Sequence, residues 1–349
     1  MIDRKKLGNR LQILDLVRVV AALSVVLYHY LYRGWMSDGL SDVDFNQYDG
    51  FFKYGYLGVQ LFFMISGFLV TMSSDGRSWQ GFVIGRVARL YPAYWVCLLV
   101  TMLFIYSIDD GRFYVSGLDA LANLTMISKL FGVVFVDGAY WTLIYELVFY
   151  FWVFILLLTT VCSLLTLIGF MLFLSCIAFL FNYSGVFSII YGGEFICYFA
   201  AGVCFYEMYK GNRSPVLIAV LLFSIGLTVM QVTGQAMMKN TNIGSSLNIG
   251  VSLLIVSVFY AFFLLLAFGL FDNFRFRYAA VLGGVSYPCY LLHQNIGYIV
   301  FNKYNGVVGD FTLLAAVLFV LLGLSYFIFK FIEPPIAQFI FKIGRKILK

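Results

Sequence analysis

Long apolar runs separated by short polar segments fill the chain from residue 11 to residue 332. A helix crosses the roughly 30 Å hydrocarbon core of a bilayer with about 20 predominantly apolar residues. Windows of that length predict ten membrane-spanning helices, at 11–33, 54–74, 84–108, 139–159, 163–182, 189–208, 215–235, 248–271, 281–301 and 311–332. The fourth and fifth are divided at the polar stretch TTVCS (159–163), because the uninterrupted run around it is too long for one span.

Composition supports a membrane protein and argues against a soluble domain. Of the 349 residues, 62% are hydrophobic and only 11% are charged, a balance unlike that of soluble globular proteins. Because backbone polar groups in lipid need partners within the protein, apolar spans of this length fold as helices. We therefore expect an all-α fold, a polytopic transmembrane helical bundle of about ten spans.

Charge distribution along the loops predicts the orientation. When the N-terminus is placed in the cytoplasm, 17 of the 23 Lys and Arg residues fall on or toward that side, in agreement with the positive-inside rule. Loops 34–53 and 109–138 carry aspartates instead. Both termini are thus expected in the cytoplasm, with the protein as a multi-pass integral membrane protein. This topology explains the formal charge of +6, so no nucleic-acid partner is expected.

Two regions are predicted along the chain. Residues 1–335 form the transmembrane domain, and the basic N-terminus leads directly into an uncleaved first helix. Residues 336–349 alternate aromatic or aliphatic residues with Lys and Arg at helical spacing, which predicts an amphipathic helix on the cytoplasmic surface. The six cysteines lie in predicted spans or in the short cytoplasmic turn at 159–163, and they lack zinc-type spacing. We therefore interpret them as packing residues and expect no metal.

The first predicted span contains three ionisable residues, Asp15, Arg18 and His29. Such groups are expensive in hydrocarbon and usually functional. His29 follows Arg18 by eleven positions, which places both side chains within about 20° of one helix face and about 16 Å apart along the axis. Asp15 lies on the same stripe and can pair with Arg18. This face would suit a long ligand with an anionic head and a reactive end.

Histidine is the side chain best suited to proton transfer near neutral pH. The chain has only two, His29 and His293, and both lie inside predicted spans. The alternative for each is a structural hydrogen bond that joins two helices of the bundle.

Five sequence blocks, taken in order, resemble a known family. They are the Arg-x10-His pair formed by Arg18 and His29, GYLGVQLFFMISGFLV (55–70), GRVARLYPAYW (85–95), YWTLIYELVFY (140–150) and GVSYPCYLLH (284–293). The ordered set is similar to the acyltransferase-3 family of membrane acyltransferases, which modifies surface carbohydrates. The resemblance implies transfer of an acyl group, commonly acetyl, from cytoplasmic acyl-CoA to a sugar hydroxyl at the outer face.

Residue by residue, the resemblance implies roles for the charged positions. His29 matches the essential histidine of the family, and Arg18 matches its paired arginine. Arg86 and Arg89 match the Arg-x-x-Arg motif. Two guanidinium groups one helical turn apart on the cytoplasmic side suit the phosphates of CoA. Positive-inside placement alone would also explain them. The pantetheine arm would then pass Arg18 and bring the thioester near His29.

Glu146 matches an acidic position in a family block usually written Trp-Ser-Leu-x-x-Glu. Trp141 stands at the start of that block here, and Thr142 replaces the serine while keeping its hydroxyl. A carboxylate in hydrocarbon needs a partner, and His29 would be a suitable one, because the pair orients the imidazole and stabilises its charged form. An acceptor hydroxyl, or a structural partner such as Trp141 or a tyrosine, remains the alternative.

Two of the segments compared with the family lie near the C-terminal end. Ser286 and His293 match the Ser-Tyr-Pro-x-Tyr-x-x-His block, and we expect supporting roles for both. Glu333 precedes Pro334, where the family commonly has lysine, so a helix stop is the safe interpretation of EPP. Glu194, which has no motif around it, is expected to have an interfacial or structural role. An aromatic outer vestibule for a sugar is predicted from Trp35, Tyr48, Tyr56, Tyr140 and Trp141.

The leading hypothesis is an integral-membrane O-acyltransferase. Acetyl-CoA or another acyl-CoA would be the donor, and a cell-surface or lipid-linked saccharide the acceptor, with His29 as general base or acyl relay. The alternative is a transporter or exporter of a glycan or lipid-linked intermediate, since intramembrane ionisable residues suit it equally. A non-catalytic envelope protein is a third interpretation. No convincing internal repeat favours the transporter.

Overall fold

The protein is described by a computed structural model covering residues 11–45, 49–181, 183, 187–243 and 246–347. Within these residues there is no β-strand and most of the chain is helical, which confirms the all-α class. Tyr48 of the predicted vestibule, the basic residues up to Arg10 and Lys349 lie outside the described residues.

Long helices dominate the described part of the chain. Their bounds are α1 Gln12–Tyr28, α2 Gly58–Ser74, α3 Trp79–Ile108, α4 Trp141–Thr159, α5 Leu164–Leu180, α6 Ile196–Tyr209, α7 Pro215–Ile243, α8 Ile249–Ala267, α9 Ala279–Tyr304, α10 Asp310–Phe327 and α11 Glu333–Ile347. A π-helix, His29–Arg33, follows α1, and a second, Ile328–Ile332, joins α10 to α11. A short helix, Gly117–Asn123, lies in the connection between α3 and α4.

Each of the ten predicted spans coincides with a helix. Within the described ranges, eight helical segments are long and apolar enough to cross a bilayer. Helix α5 has only 17 residues, and α9 falls outside the eight because His293, Gln294 and Asn295 make its C-terminal half polar. The chain is thus a multi-pass membrane protein, while the count of ten spans and the side on which the termini lie remain predictions.

Two helix ends were predicted from the sequence, one at the polar stretch TTVCS and one at the prolines of EPP, and they had different outcomes. Helix α4 ends at Thr159, and Thr160 has a φ of 52°, which confirms the break at TTVCS. The stop predicted at EPP is wrong, because α11 begins at Glu333 and continues to Ile347. Pro334 occupies the first turn of α11, where a missing N–H is tolerated, and the π turn before it accommodates the changed hydrogen-bond pattern.

Two compact units divide the chain. The first unit contains residues 11–18, Val59–Phe82 and Tyr145–Ala279. The second contains Val19–Gly58, Val83–Ile144 and the residues from Ala280 to the C-terminal end. In both units only the residues within the described ranges are considered.

In the first unit, α6 is the central helix, and it packs against α5, α7 and α8. Close approach to α2 depends on two glycines. A Cβ atom on Gly67 would lie 2.2 Å from the Phe199 carbonyl oxygen, and one on Gly202 would lie 2.2 Å from that of Met64. Small residues at such crossings let the backbones of membrane helices touch. Phe63 stacks on Phe199 with ring centroids 4.8 Å apart and fills the space beside this crossing.

In the second unit, aromatic residues of α3 fix the connection to α4. The Tyr94 hydroxyl donates to the Asn123 carbonyl, and the Trp95 indole N–H donates to that of Leu124. The buried Asn123 amide donates in turn to the Asp119 and Val134 carbonyls at 2.8 and 2.9 Å. Side-chain amides that satisfy several backbone groups order a loop without secondary structure. This loop delivers Asp137 to the start of α4.

Candidate active site

The two histidines of the chain meet in the second unit. His29 Nδ1 lies 3.1 Å from His293 Nε2, and the ring centroids are 4.9 Å apart. Both side chains are buried. The residues are 264 positions apart in sequence and come from the first residue of the π-helix after α1 and from the middle of α9. The contact brings together two of the predicted site residues.

Backbone carbonyls define the tautomer of each ring. His29 Nδ1 lies 2.9 Å from the Val25 carbonyl oxygen, and His293 Nδ1 lies 2.6 Å from that of Tyr290. A carbonyl oxygen only accepts hydrogen bonds, so the hydrogen-bond network assigns the proton of each neutral ring to Nδ1. His293 Nε2 then accepts from His29 Nδ1–H. The same assignment leaves Nε2 of His29 as the nitrogen that can take up a proton.

Tyr30 and Gly297 hold the histidine pair in place. The Tyr30 hydroxyl donates to the His293 carbonyl oxygen at 2.6 Å. Its ring packs so tightly on α9 that a Cβ atom at Gly297 would lie 2.3 Å from Tyr30 Cε1. The ring of Tyr28 meets His29 edge-on, with centroids 5.2 Å apart. The π-helix turns His29 and Tyr30 to these positions, and such segments recur at functional sites.

A buried carboxylate that sequence reasoning placed among the outer-loop aspartates supports α9 beside His293. Asp137 accepts hydrogen bonds from the backbone N–H groups of Ala139 and Asn295, at 2.8 and 2.9 Å. The Asn295 amide donates to the Val136 carbonyl. Burial raises the pKa of Asp137 to about 7, and the two N–H donors oppose that shift. Its position at the N-cap of a 3-10 turn, Gly138–Tyr140, was the available sequence signal.

Thr142 ties the start of α4 to α9. Its hydroxyl lies 3.0 Å from the Tyr290 hydroxyl, which donates to the Ala139 carbonyl. Tyr290 is also the residue whose carbonyl orients His293. The threonine in place of the family's serine therefore keeps a hydroxyl in contact with the segment that carries the second histidine.

The Arg-x-x-Arg motif lies in α3, also in the second unit. Arg86 is half-buried and Arg89 is exposed. Arg89 interacts electrostatically with the carboxylate of Glu333 at the start of α11. The side chain of Tyr287 donates to the Leu90 carbonyl and joins α9 to this part of α3. The arginines are therefore placed on a helix that packs against the histidine-bearing α9.

Glu146 lies in the first unit, where Ser66 and Tyr150 contact it. The Ser66 hydroxyl donates to Glu146 Oε1 at 3.1 Å, and the Tyr150 hydroxyl donates to the same oxygen. These contacts support the alternative of a structural tyrosine partner. The predicted pairing of Glu146 with His29 joins residues of different units and stays a prediction.

Asp15 and Arg18 form the predicted pair in α1. Arg18 Nη1 lies 3.9 Å from Asp15 Oδ1, and both side chains are largely buried. The predicted route from Arg18 to His29 again joins the two units and stays a prediction. Glu194 accepts a hydrogen bond from the Gln231 amide at 3.5 Å, which agrees with a structural role.

The remaining predicted residues have structural surroundings. The Ser286 hydroxyl donates to the Gly283 carbonyl one turn earlier in α9, at 2.8 Å. Tyr56 and Tyr140 are buried, whereas Trp35 is 43% exposed and Trp141 is half-buried. The outer vestibule stays a prediction for the two tryptophans. Among the described residues, no group of three or more His, Cys, Asp or Glu side chains could hold a metal ion.

Fold and site together define a multi-pass helical membrane protein with a buried histidine pair. The profile of the acyltransferase-3 family, described as an acyltransferase domain, matches residues 11–330. The chain belongs to this family.

One curated relative is a protein of Bacillus subtilis (strain 168) named "Putative peptidoglycan O-acetyltransferase YrhL". The chain is 27% identical to it over 123 residues. That match covers 33% of this chain and 17% of the relative's length. No solved structure matches the chain at a significant level.

Proposed function

We propose that this protein is a membrane O-acyltransferase that moves an acyl group, acetyl in the first instance, from cytoplasmic acyl-CoA to a saccharide hydroxyl. The acceptor is a cell-surface or lipid-linked glycan, and the membrane is the bacterial inner membrane. The observation that carries the proposal is the buried His29–His293 contact in a chain that the family profile matches almost throughout. The name of the Bacillus relative supports a saccharide acceptor and acetyl as the group transferred.

His29 acts as the general base in this proposal. Its Nε2 takes the proton of the acceptor hydroxyl as the oxygen attacks the thioester carbonyl carbon. The carbon–sulfur bond breaks, and the departing thiolate takes the proton from Nε2, which restores the neutral ring. A positioned base of this kind contributes about 10²- to 10⁴-fold to the rate.

His293 acts as a positioning residue. While His29 carries the extra proton, its Nδ1–H is shared between the Val25 carbonyl and His293 Nε2, two acceptors that favour the cationic ring. The Tyr290 carbonyl holds His293 in the matching tautomer. This arrangement has the logic of a catalytic triad, in which a third group orients the base.

Arg86 and Arg89 bind the phosphates of the donor in this proposal. Guanidinium groups at i and i+3 of α3 lie on one helix face. Each can bind a phosphate through two parallel hydrogen bonds. Glu333 beside Arg89 limits how strongly that arginine holds an anion, so we assign Arg86 the larger contribution.

The test uses purified protein in nanodiscs with acetyl-CoA and a candidate glycan, and measures release of free thiol. The decisive variant is His29→Asn, because the asparagine amide can still donate to the Val25 carbonyl and His293 from the position of Nδ1 but has no basic Nε2. We expect thiol release to fall by about 10²-fold or more while the folded fraction is unchanged. Full activity in this variant would contradict the proposal.

A chemical trap separates the two roles that His29 could have. Wild-type protein is incubated with radiolabelled acetyl-CoA without acceptor, quenched and digested. Direct transfer predicts no label on the peptide that carries His29. A labelled histidine would replace the general-base role by an acyl relay. A transporter of glycan intermediates predicts neither label nor thiol release.

A further inference from the structure

An apolar cavity of about 280 Å³ lies within the second unit, between α9 and α10. Helix α9 contributes one stripe of side chains at four-residue spacing, Leu292, Ile296 and Val300, and α10 contributes a facing stripe that includes Val317 and Leu321. Tyr30 and Phe104 close the remaining sides. The proposed acyl transfer does not use this cavity.

The chemistry of the wall selects a hydrocarbon ligand. Its side chains are aliphatic or aromatic, and two of them, Tyr30 and Tyr304, carry hydroxyl groups. The hydroxyl of Tyr30 is engaged by the His293 carbonyl at 2.6 Å, and Tyr304 is 47% exposed, away from the deep part of the wall. An apolar cavity of roughly 150 Å³ stays free of water and holds a benzene molecule, so this larger cavity has room for a segment of an alkyl chain. A charged or hydroxylated ligand would lose its hydration here without gaining partners.

The cavity is continuous with the lipid-facing side of α10. Val320 contributes to the wall and is at the same time 60% exposed. Leu321, the next residue, is only 5% exposed and forms the deep part of the wall. Because this segment of α10 is apolar enough to span a membrane, its exposed residues face lipid. The bilayer, with alkyl chains at very high local concentration, is thus the source of the occupant.

The cavity also adjoins the histidine pair. Tyr30 follows His29 directly, and Leu292 directly precedes His293. The Tyr30 ring packs on Gly297 of α9 and contributes to the cavity wall. An alkyl chain in the cavity would therefore press on the residue that holds His293 through its carbonyl.

We infer that this cavity is a binding site for one hydrocarbon chain of a phospholipid from the surrounding bilayer. The chain enters beside Val320, lies between α9 and α10, and ends against Tyr30. The site is independent of the proposed acyl transfer and would remain if the chemistry of His29 were different.

The experiment uses the full chain in nanodiscs of phosphatidylethanolamine and phosphatidylglycerol. A small fraction of the phosphatidylglycerol carries a diazirine in the middle of one acyl chain. After illumination, mass spectrometry maps the labelled residues. The proposal expects label on deep wall residues such as Ile296 and Leu321, which are 9% and 5% exposed. Label confined to outward residues such as Phe319, which is 81% exposed and not part of the wall, would overturn it.

Two neighbouring alanines of α10 supply a matched pair of variants. Ala316 belongs to the wall and Ala315 does not, and both are exposed. Ala316→Phe fills the cavity, so we expect labelling of Ile296 to fall by about five-fold or more. Ala315→Phe adds the same bulk outside the cavity and should leave labelling within two-fold of wild type. Equal labelling in both variants would overturn the proposal. Gel-filtration profiles identify folded protein, and the wild-type map stands without either variant.

A third arm excludes the acyl chain of the donor as the occupant. Palmitoyl-CoA is added before illumination at the concentration that saturates its thiol release. If the protein releases no thiol from palmitoyl-CoA, a concentration of 1 mM is used. A phospholipid site predicts unchanged labelling of Ile296 and Leu321. Loss of that labelling would assign the cavity to a long acyl chain of the donor and contradict the inference.

Discussion

Asp137 makes the stability of the second unit dependent on pH. Its carboxyl group is fully buried, and burial raises its pKa to about 7 from an ordinary value of 3.8. The folded state therefore binds this proton more tightly than the unfolded state between these values, so the free energy of unfolding falls as pH rises from about 4 to 7. The full difference corresponds to about 4 kcal/mol. Above pH 7 the contribution is constant.

Asp137→Asn removes this titration. The asparagine oxygen can still accept from one of the two N–H donors, but its NH₂ group faces the other, at a cost of about 1 to 3 kcal/mol. At pH 5 we expect the variant to be less stable than wild type. Between pH 5 and pH 8 the free energy of unfolding of the wild type should fall by about 3 kcal/mol through this group, whereas that of the variant should not. The stability difference between the two proteins should therefore shrink or reverse.

Thermal unfolding of the detergent-solubilised protein at pH 5, 6, 7 and 8 measures the effect. About 1 kcal/mol moves Tm by roughly 2 to 4 °C in a domain of 150 to 250 residues, so a change of about 3 kcal/mol should move Tm of wild type relative to the variant by about 6 to 12 °C. Asp119→Asn is the control in the same loop, because hydrogen bonds from Ser116 lower the pKa of Asp119 and its titration ends below this range. Parallel Tm curves for Asp137→Asn and wild type would refute the reasoning.

Three further predictions follow from the geometry. His293→Leu should reduce thiol release by about 10- to 100-fold, while His293→Gln, which can still accept from His29, should recover most of it. Arg86→Gln should raise KM for acetyl-CoA by about ten-fold with little change in kcat, and Arg275→Gln, outside the motif, should leave both unchanged. Gly202→Ala should lower Tm, because the new Cβ would overlap a carbonyl of α2 and cost about 1 to 3 kcal/mol.

The helices were largely predictable from the sequence because a membrane span needs length and hydropathy alone. All ten apolar windows coincide with helices. The continuation through Glu333 and Pro334 was not predictable, since a π turn that accommodates proline leaves no mark in composition. The close crossing of α2 and α6 also could not be predicted, because Gly67 and Gly202 are two among 32 glycines.

The candidate site was predictable as single residues and only partly as an arrangement. Scarcity and intramembrane position pointed to His29 and His293, and helical spacing gave the Asp15–Arg18 pair, which the structure confirms. The contact between the histidines depends on how α1 and α9 pack, and no local pattern encodes that. Asp137 was counted with the aspartates of the outer loops, because its N-cap position indicates a turn and not the burial of this loop against α9.

The π-helix at His29–Arg33 makes the length of this segment as important as its composition. The N–H of Gly34 bonds to the His29 carbonyl five residues back, so the segment contains one residue more than a regular α turn requires. A regular α turn places residues four positions apart over one another, whereas this wide turn places Gly34 over His29. Removing Leu31 would therefore restore α-helical bonding and leave the residues after it close to their present orientation, whereas a deletion within a regular α-helix rotates everything after it by about 100°. A single-residue deletion should thus be better tolerated by the fold here than elsewhere in α1, and its cost should fall on the placement of His29 and Tyr30 against α9.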